Sequence, residues 1–237
     1  MTRIWSLARI AVALLALGTL VFQFAHDLSY VVAAEEPYAS HVPTFAWNFA
    51  SFFTNQSNVI AAAFLLLAAW WSLARRDGGE RPPVWLAALQ VVAATFMTVT
   101  CVVYNVLLRG TDTAGGVAPH VEWSNEVMHV VVPAFVVLDL LLMTVPRRVS
   151  WRLLIVLVAY PALYAAYSLL RAPFVTAPVG GAAVWYPYPF LDPQAQGGWG
   201  GVALYVAVLA AAVTAIGAVF VAYARWRVGR SERRMTP

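Results

Sequence analysis

Lysine is absent from this 237-residue chain, and all 15 basic residues are arginine. Charge of either sign is scarce. Only 11% of residues are charged and 62% are hydrophobic, whereas a soluble domain carries about 25% charged residues. So few charges cannot cover a soluble protein of this length, which points to the bilayer as solvent. Cysteine is nearly missing too. Cys101 stands alone inside an apolar run, which excludes a disulfide framework and a thiolate metal cluster. No HxxxH or HExxH pair occurs among the four histidines, so a zinc-protease reading and a metal site find no support. No glycine-rich phosphate loop follows a strand, and no nucleic-acid motif is present.

What the chain does have is apolar length. Six segments near residues 8–26, 47–73, 83–108, 124–145, 151–171 and 199–224 reach the roughly 17 to 25 residues that cross a bilayer as helix. They show no sustained alternation, which argues for helices over barrel strands. The expected fold is an all-α polytopic membrane protein, a six-helix bundle forming one domain over 1–237. The first segment follows Arg3 and Arg9 in the manner of a signal peptide. Gln23, two positions before Ala25, breaks the small-residue pattern of a cleavage site, so a retained span is expected.

The arginines predict the topology. Thirteen of the fifteen fall in the N-terminus, the second connection (Arg75, Arg76, Arg81), the fourth connection (Arg147, Arg148, Arg152) and a basic tail over 225–237. Only Arg109 and Arg171 fall in the odd-numbered connections. By the positive-inside rule both termini are cytoplasmic, in the inner membrane of a bacterium. The formal net charge of +4 is then a signature of topology and not of nucleic-acid binding. The two short inner connections predict antiparallel hairpins of spans 2–3 and 4–5. The outer loop 172–198 is rich in proline and aromatics, including Trp185-Tyr186-Pro187-Tyr188-Pro189-Phe190. It reads either as a cap over the outer end or as an ordinary aromatic-belt loop.

Two polar stretches interrupt the apolar pattern. Thr54-Asn55-Gln56-Ser57-Asn58 lies early in the second span, and Asn125-Glu126-Val127-Met128-His129 opens the fourth, with Pro133 four residues on. Thr54 is seven residues past Trp47 and His129 five past Ser124. At about 1.5 Å per residue these lie roughly 10 Å and 8 Å below the same boundary, so the stretches meet at one level. Polar groups in hydrocarbon are costly and turn toward a bundle interior, which predicts a polar cavity there. Thr54, Ser57 and Asn58 share one helical face, and Asn125 and His129 another. Pro133 removes the donor expected at the His129 carbonyl and opens that turn. Asp139, roughly 22 Å down the same span, is a structural partner for an inner-side arginine or hydroxyl.

A hydroxyl and an imidazole at one depth are the minimum for nucleophilic acyl transfer. Thr54, or alternatively Ser57, is the candidate nucleophile and His129 the base. Asn55, Asn58 and Asn125 are candidate oxyanion donors, and Asn125 or Glu126 a candidate orienter of the imidazole. Arg109 and Arg171 are either snorkelling anchors or ligands for a substrate carboxylate. Membrane lipid or a fatty-acyl ester is the expected partner, with no cofactor. The same cavity also suits a transporter or binding protein for lipids or small molecules. Helix-to-helix hydrogen bonding in a purely structural protein accounts for the same residues as well.

Asn125-Glu126-Val127-Met128-His129, running into a proline-containing helix that ends in Leu138-Asp139, resembles the corresponding segment of the androgen-induced membrane hydrolases. Phe52-Phe53-Thr54-Asn55-Gln56-Ser57-Asn58 looks like their second helix. With Tyr188-Pro189-Phe190, the chain is most similar to the bacterial six-span branch of that superfamily. The resemblance implies cytoplasmic termini, a threonine nucleophile at Thr54, a histidine base at His129, and metal-free cleavage of fatty acid esters of hydroxy fatty acids. The animal members carry histidine where Glu126 stands and lack the Ser57-Asn58 pair, which keeps Ser57 beside Thr54 as nucleophile.

Overall fold

Leucine, valine and alanine dominate six long helices, each apolar enough to cross a membrane. The computed structural model describes residues 2–74, 82–110, 118–143 and 145–235. Among these the secondary structure is helical, with no strand. Helix α1 spans Thr2–Ala33, α2 Val42–Ser51, α3 Phe53–Ala74 and α4 Val84–Val103. Helix α5 spans Glu122–Glu126, α6 Val132–Leu142, α7 Leu153–Arg171 and α8 Trp199–Met235. The expected all-α six-helix bundle is what the chain forms. Arg75, Arg76 and Arg81 lie outside the described residues.

α4 is the centre of the bundle. Its membrane-length window is 61% buried, against 17% for those of α7 and α8. It packs on α3, α6 and α8. Its buried Ala87, Ala93 and Ala94 allow helix backbones to come close, and Phe64, Leu65, Phe96 and Met97 fill the space between. α1 packs along α3, with Ala13, Ala16, Ala61 and Ala62 all buried. Gly217 serves the same end on α8, because a Cβ there would meet Leu157 Cδ1 of α7 at 2.7 Å.

Spans 4 and 5 do not form the expected hairpin. α6 packs on α4 and α3, whereas α7 packs on α8. The connection between them is anchored by buried Val145 and Val149 instead. Short linkage brings two helices together only if no better face is available, and α4 and α8 supply those faces. The last helix also exceeds its expected span: α8 runs on through most of the basic tail to Met235.

The predicted second span is two helices. α2 ends at Phe52, whose backbone is extended (φ −71°, ψ 127°), and α3 starts at the next residue. Side chains from α3 bring donors to the last carbonyls of α2. Asn55 Nδ2 donates to Phe49 O at 2.7 Å and Gln56 Nε2 to Ala50 O at 3.0 Å. The polar run therefore caps a helix break and puts Thr54 in the first turn of α3.

The opposite end of the bundle is tied by a buried ion pair. Arg9 Nε donates to Asp139 Oδ1 at 2.6 Å, with side-chain exposures of 7% and 0%. Trp5 Nε1 and Gln90 Nε2 donate to the same carboxylate. Asp139 thus has the structural arginine partner expected for it, and joins α1, α4 and α6.

Candidate functional site

The site begins with two departures from regular helix. The first is the α2–α3 break. Phe52 O accepts from Asn55 N and Gln56 N, so the Thr54 N–H is one of the first-turn donors without a helical acceptor. It donates to Tyr188 Oη at 3.3 Å.

The second departure is a π-helical turn over Val127–Val131, between α5 and α6. The Val132 N–H reaches back five residues to Val127 O and so passes over Met128 O. Pro133 has no N–H to offer. Asn58 Nδ2 reaches across from α3 and donates to Met128 O at 3.3 Å. The loss of a donor expected from Pro133 thus reaches Met128 O, which is served from another helix. The wider turn carries His129 inward, where it is 7% exposed.

There the two departures meet. Thr54 Oγ1 and His129 Nε2 are 3.1 Å apart. His129 Nδ1 lies 2.9 Å from Asn125 O. A carbonyl only accepts, so Nδ1 carries the proton and Nε2 presents its lone pair to the threonine hydroxyl, which donates. Tyr104, in a π-helical turn (Tyr104–Leu108) that continues α4, stacks on the imidazole at 3.9 Å between centroids and 18° between planes. The Arg109 guanidinium lies over the Tyr104 ring at 5.1 Å.

The other sequence candidates go elsewhere. Ser57 Oγ bonds Thr54 O at 3.0 Å and Thr100 Oγ1 at 2.9 Å, facing α4 and not His129. Asn58 Nδ2 divides its two protons between Thr54 O and Met128 O, and Asn55 Nδ2 is held by Phe49 O, so neither amide is an oxyanion donor as placed. Glu126 does not orient the imidazole, because it pairs with Arg109 at 2.6 Å. Asn125 does orient it, but through its backbone carbonyl, and the residue borders the cavity described next. Arg171 Nη2 donates to Asn48 Oδ1 at 2.7 Å and its guanidinium lies over Trp185. It does not border the cavity, whereas Arg109 does.

Thr54 and His129 open onto a cavity of about 920 Å³, at the upper end of the roughly 300–1,000 Å³ usual for small-molecule sites. Its lining includes Asp27, His41, Arg109, His120, Glu122 and Glu126. Among the described residues, no three histidine, cysteine or acidic side chains gather as a metal-ligand set.

Tyr188 was not among the sequence candidates. It belongs to the 172–198 loop, which folds over this end with Trp185, Tyr188, Phe190 and Leu191 buried. Phe190 stacks on its ring and Phe52 meets it edge-on. Burial pushes the Tyr188 phenol above its ordinary pKa, so it stays protonated. Its oxygen accepts the Thr54 N–H, a bond that does not use its own proton. The Tyr188-Pro189-Phe190 pattern was the available signal, and only the tertiary contact gives it a place beside Thr54.

The fold and this pair define an all-helical membrane-spanning protein with a hydroxyl–imidazole pair beside a large polar cavity. No family model, curated protein or solved structure matches the chain.

Proposed function

We propose that the protein is a membrane-embedded ester hydrolase in which Thr54 is the nucleophile and His129 the general base. The observation that carries this reading is the 3.1 Å approach of Thr54 Oγ1 to the proton-free Nε2 of a histidine held by a backbone carbonyl. A histidine that only joins helices has no need of a cavity beside the bond it makes, and here both Thr54 and His129 border one.

The steps follow from the atoms present. His129 Nε2 takes the Thr54 hydroxyl proton as Oγ1 attacks the ester carbonyl. Charge develops on the carbonyl oxygen beside the Tyr188 hydroxyl, whose proton the bond from the Thr54 N–H leaves available, at the N-terminus of α3. Tyr104, stacked on the ring, favours the imidazolium that forms. Nε2–H then protonates the departing alkoxide. A water, deprotonated by the same nitrogen, cleaves the acyl-threonine and releases the acid. In this reading the arginine-rich end faces the cytoplasm and the cavity opens toward the opposite side.

A serine-hydrolase activity probe tests the reading on wild type, Thr54→Ala, Ser57→Ala and His129→Ala. Label is expected on wild type and Ser57→Ala, none on Thr54→Ala, and a large loss on His129→Ala. Equal labelling of all four, or of none, overturns it. The size of the cavity favours a second reading, a carrier or binding protein for a polar or lipid ligand, which forms no covalent intermediate.

A further inference from the structure

A second cavity lies on the other side of Thr54. It measures about 110 Å³ and is apolar, walled by Val99 and Val103 of α4, Pro161 and Ala165 of α7, and Leu209 and Val213 of α8. Thr54, Tyr104, Leu108 and Tyr188 border both cavities. His129 and Asn125 border only the large polar one. The nucleophile therefore stands in a partition, with its base on one side.

If Thr54 and His129 hydrolyse an ester, that partition orients it. The leaving alkoxide must take its proton from His129 Nε2, so the alcohol part lies on the histidine side. The deacylating water must reach the same nitrogen and enters from the same side. The acyl carbon, bonded to Thr54 Oγ1, is left with the opposite side. We propose that the apolar pocket holds the acyl chain and the polar cavity the alcohol, so that the substrate is an ester of a short apolar acid with a large polar alcohol.

Size and chemistry both point this way. An apolar cavity of about 150 Å³ takes a benzene molecule. A pocket of about 110 Å³ is smaller, and suits a chain of about four to six carbons. The larger cavity carries Asp27, Arg109, Glu122 and Glu126, which favour a polar group there because they would lose water against a second hydrocarbon chain. This substrate differs from the long-chain esters that the sequence resemblance implies.

The assignment rests on the hydrolase reading, and one experiment separates the two. One portion of the purified protein is treated with the activity probe, and a second, untreated portion is assayed on monoacylglycerols from acetyl to palmitoyl, whose polar alcohol is constant. Wild-type kcat/KM is expected to peak at butyryl to hexanoyl and to fall by about tenfold or more at palmitoyl. Ala165→Phe on α7 and Ala210→Phe on α8 each place a ring in the pocket. Each is expected to lower the hexanoyl-to-acetyl ratio of kcat/KM by about tenfold. A ratio measured on one preparation does not depend on how much of a variant folds. A wild type that takes no label at Thr54 overturns the hydrolase reading and this assignment with it. A labelled wild type that prefers palmitoyl, or two variants with unmoved ratios, overturns the assignment alone.

Discussion

The hydroxyl that faces His129 belongs to Thr54, three residues from a serine that was equally eligible by composition. What separates them is direction. Ser57 is 1% exposed and bonded to Thr100 on α4, while Thr54 meets Nε2 and both cavities. Thr54→Ser is accordingly expected to retain ester turnover and Thr54→Ala to abolish it, with Ser57→Ala within a few-fold of wild type. Tyr188 gives a sharper test of the chemistry. Tyr188→Phe keeps the ring packed between Phe52 and Phe190 but removes the hydroxyl. Loss of one oxyanion donor lowers kcat by about 10²–10³, so a fall of that size with KM nearly unchanged is expected. An equal rise in KM instead would make Tyr188 a binding or packing residue. The sign of its pKa shift adds a pH condition. Burial raises the value, so the neutral donor persists past its ordinary titration point near 10. The wild-type to Tyr188→Phe ratio of kcat is expected to stay level from pH 7 to 10. A ratio that collapses across that range would show that the hydroxyl titrates early. Depth counting along two helices sufficed to pair Thr54 with His129. It did not reach Tyr188, whose contact with Thr54 crosses 134 residues of sequence.

At the scale of elements, the site depends on backbone that is not regular helix. The α2–α3 break exposes the Thr54 N–H, and the π-helical turn swings His129 inward. Neither was legible as such. Threonine, asparagine and serine in an apolar run read as one polar helical face, because spacing arguments assume the helix continues. The structure spends Asn55 and Gln56 on capping the break, and Asn58 on the carbonyl that Val132 and Pro133 leave open. Asn58→Ala is therefore expected to cost about 1–3 kcal/mol, the penalty of a buried carbonyl without a donor, and to reduce probe labelling by loosening the His129 turn. Stability unchanged in mixed-micelle unfolding would argue against that role. The opposite end carries a separate prediction. Arg9→Ala or Asp139→Ala leaves one buried charge unpaired and is expected to cost about 3–5 kcal/mol. The double change Arg9→Met with Asp139→Leu removes both charges and is expected to cost less than either single one. Additive losses in the same unfolding assay would mean that the pair is not coupled. This contact was readable from sequence in kind, since a lone aspartate at that depth demands a partner, but the choice of Arg9 required the packing of α1 against α6.

For the whole molecule, apolar length was the dependable signal, because a bilayer leaves a backbone few ways to satisfy its own hydrogen bonds. Six helices appear near the places that hydropathy gives. Connectivity was less legible: short loops suggested that spans 4 and 5 pair, while the buried small residues of α4 and Gly217 of α8 decide which faces meet. The bundle is also polarised. Thr54, His129, the polar cavity and the 172–198 loop share one end, and Arg9, Arg147, Arg148, Arg152 and Arg225 lie toward the other. The proposed hydrolysis needs water at the cavity, and by the positive-inside rule the arginine end is expected in the cytoplasm. In that proposed orientation the cavity opens to the extracytoplasmic side. With Cys101→Ser as background, Glu36→Cys reports on the first end and Arg230→Cys on the second, since both residues are exposed. Membrane-impermeant maleimide added to intact cells is expected to label Glu36→Cys at once, and Arg230→Cys only after the membrane is opened. The reverse order would turn the protein over, and would make a cytoplasmic ester the substrate without altering the pairing of Thr54 with His129.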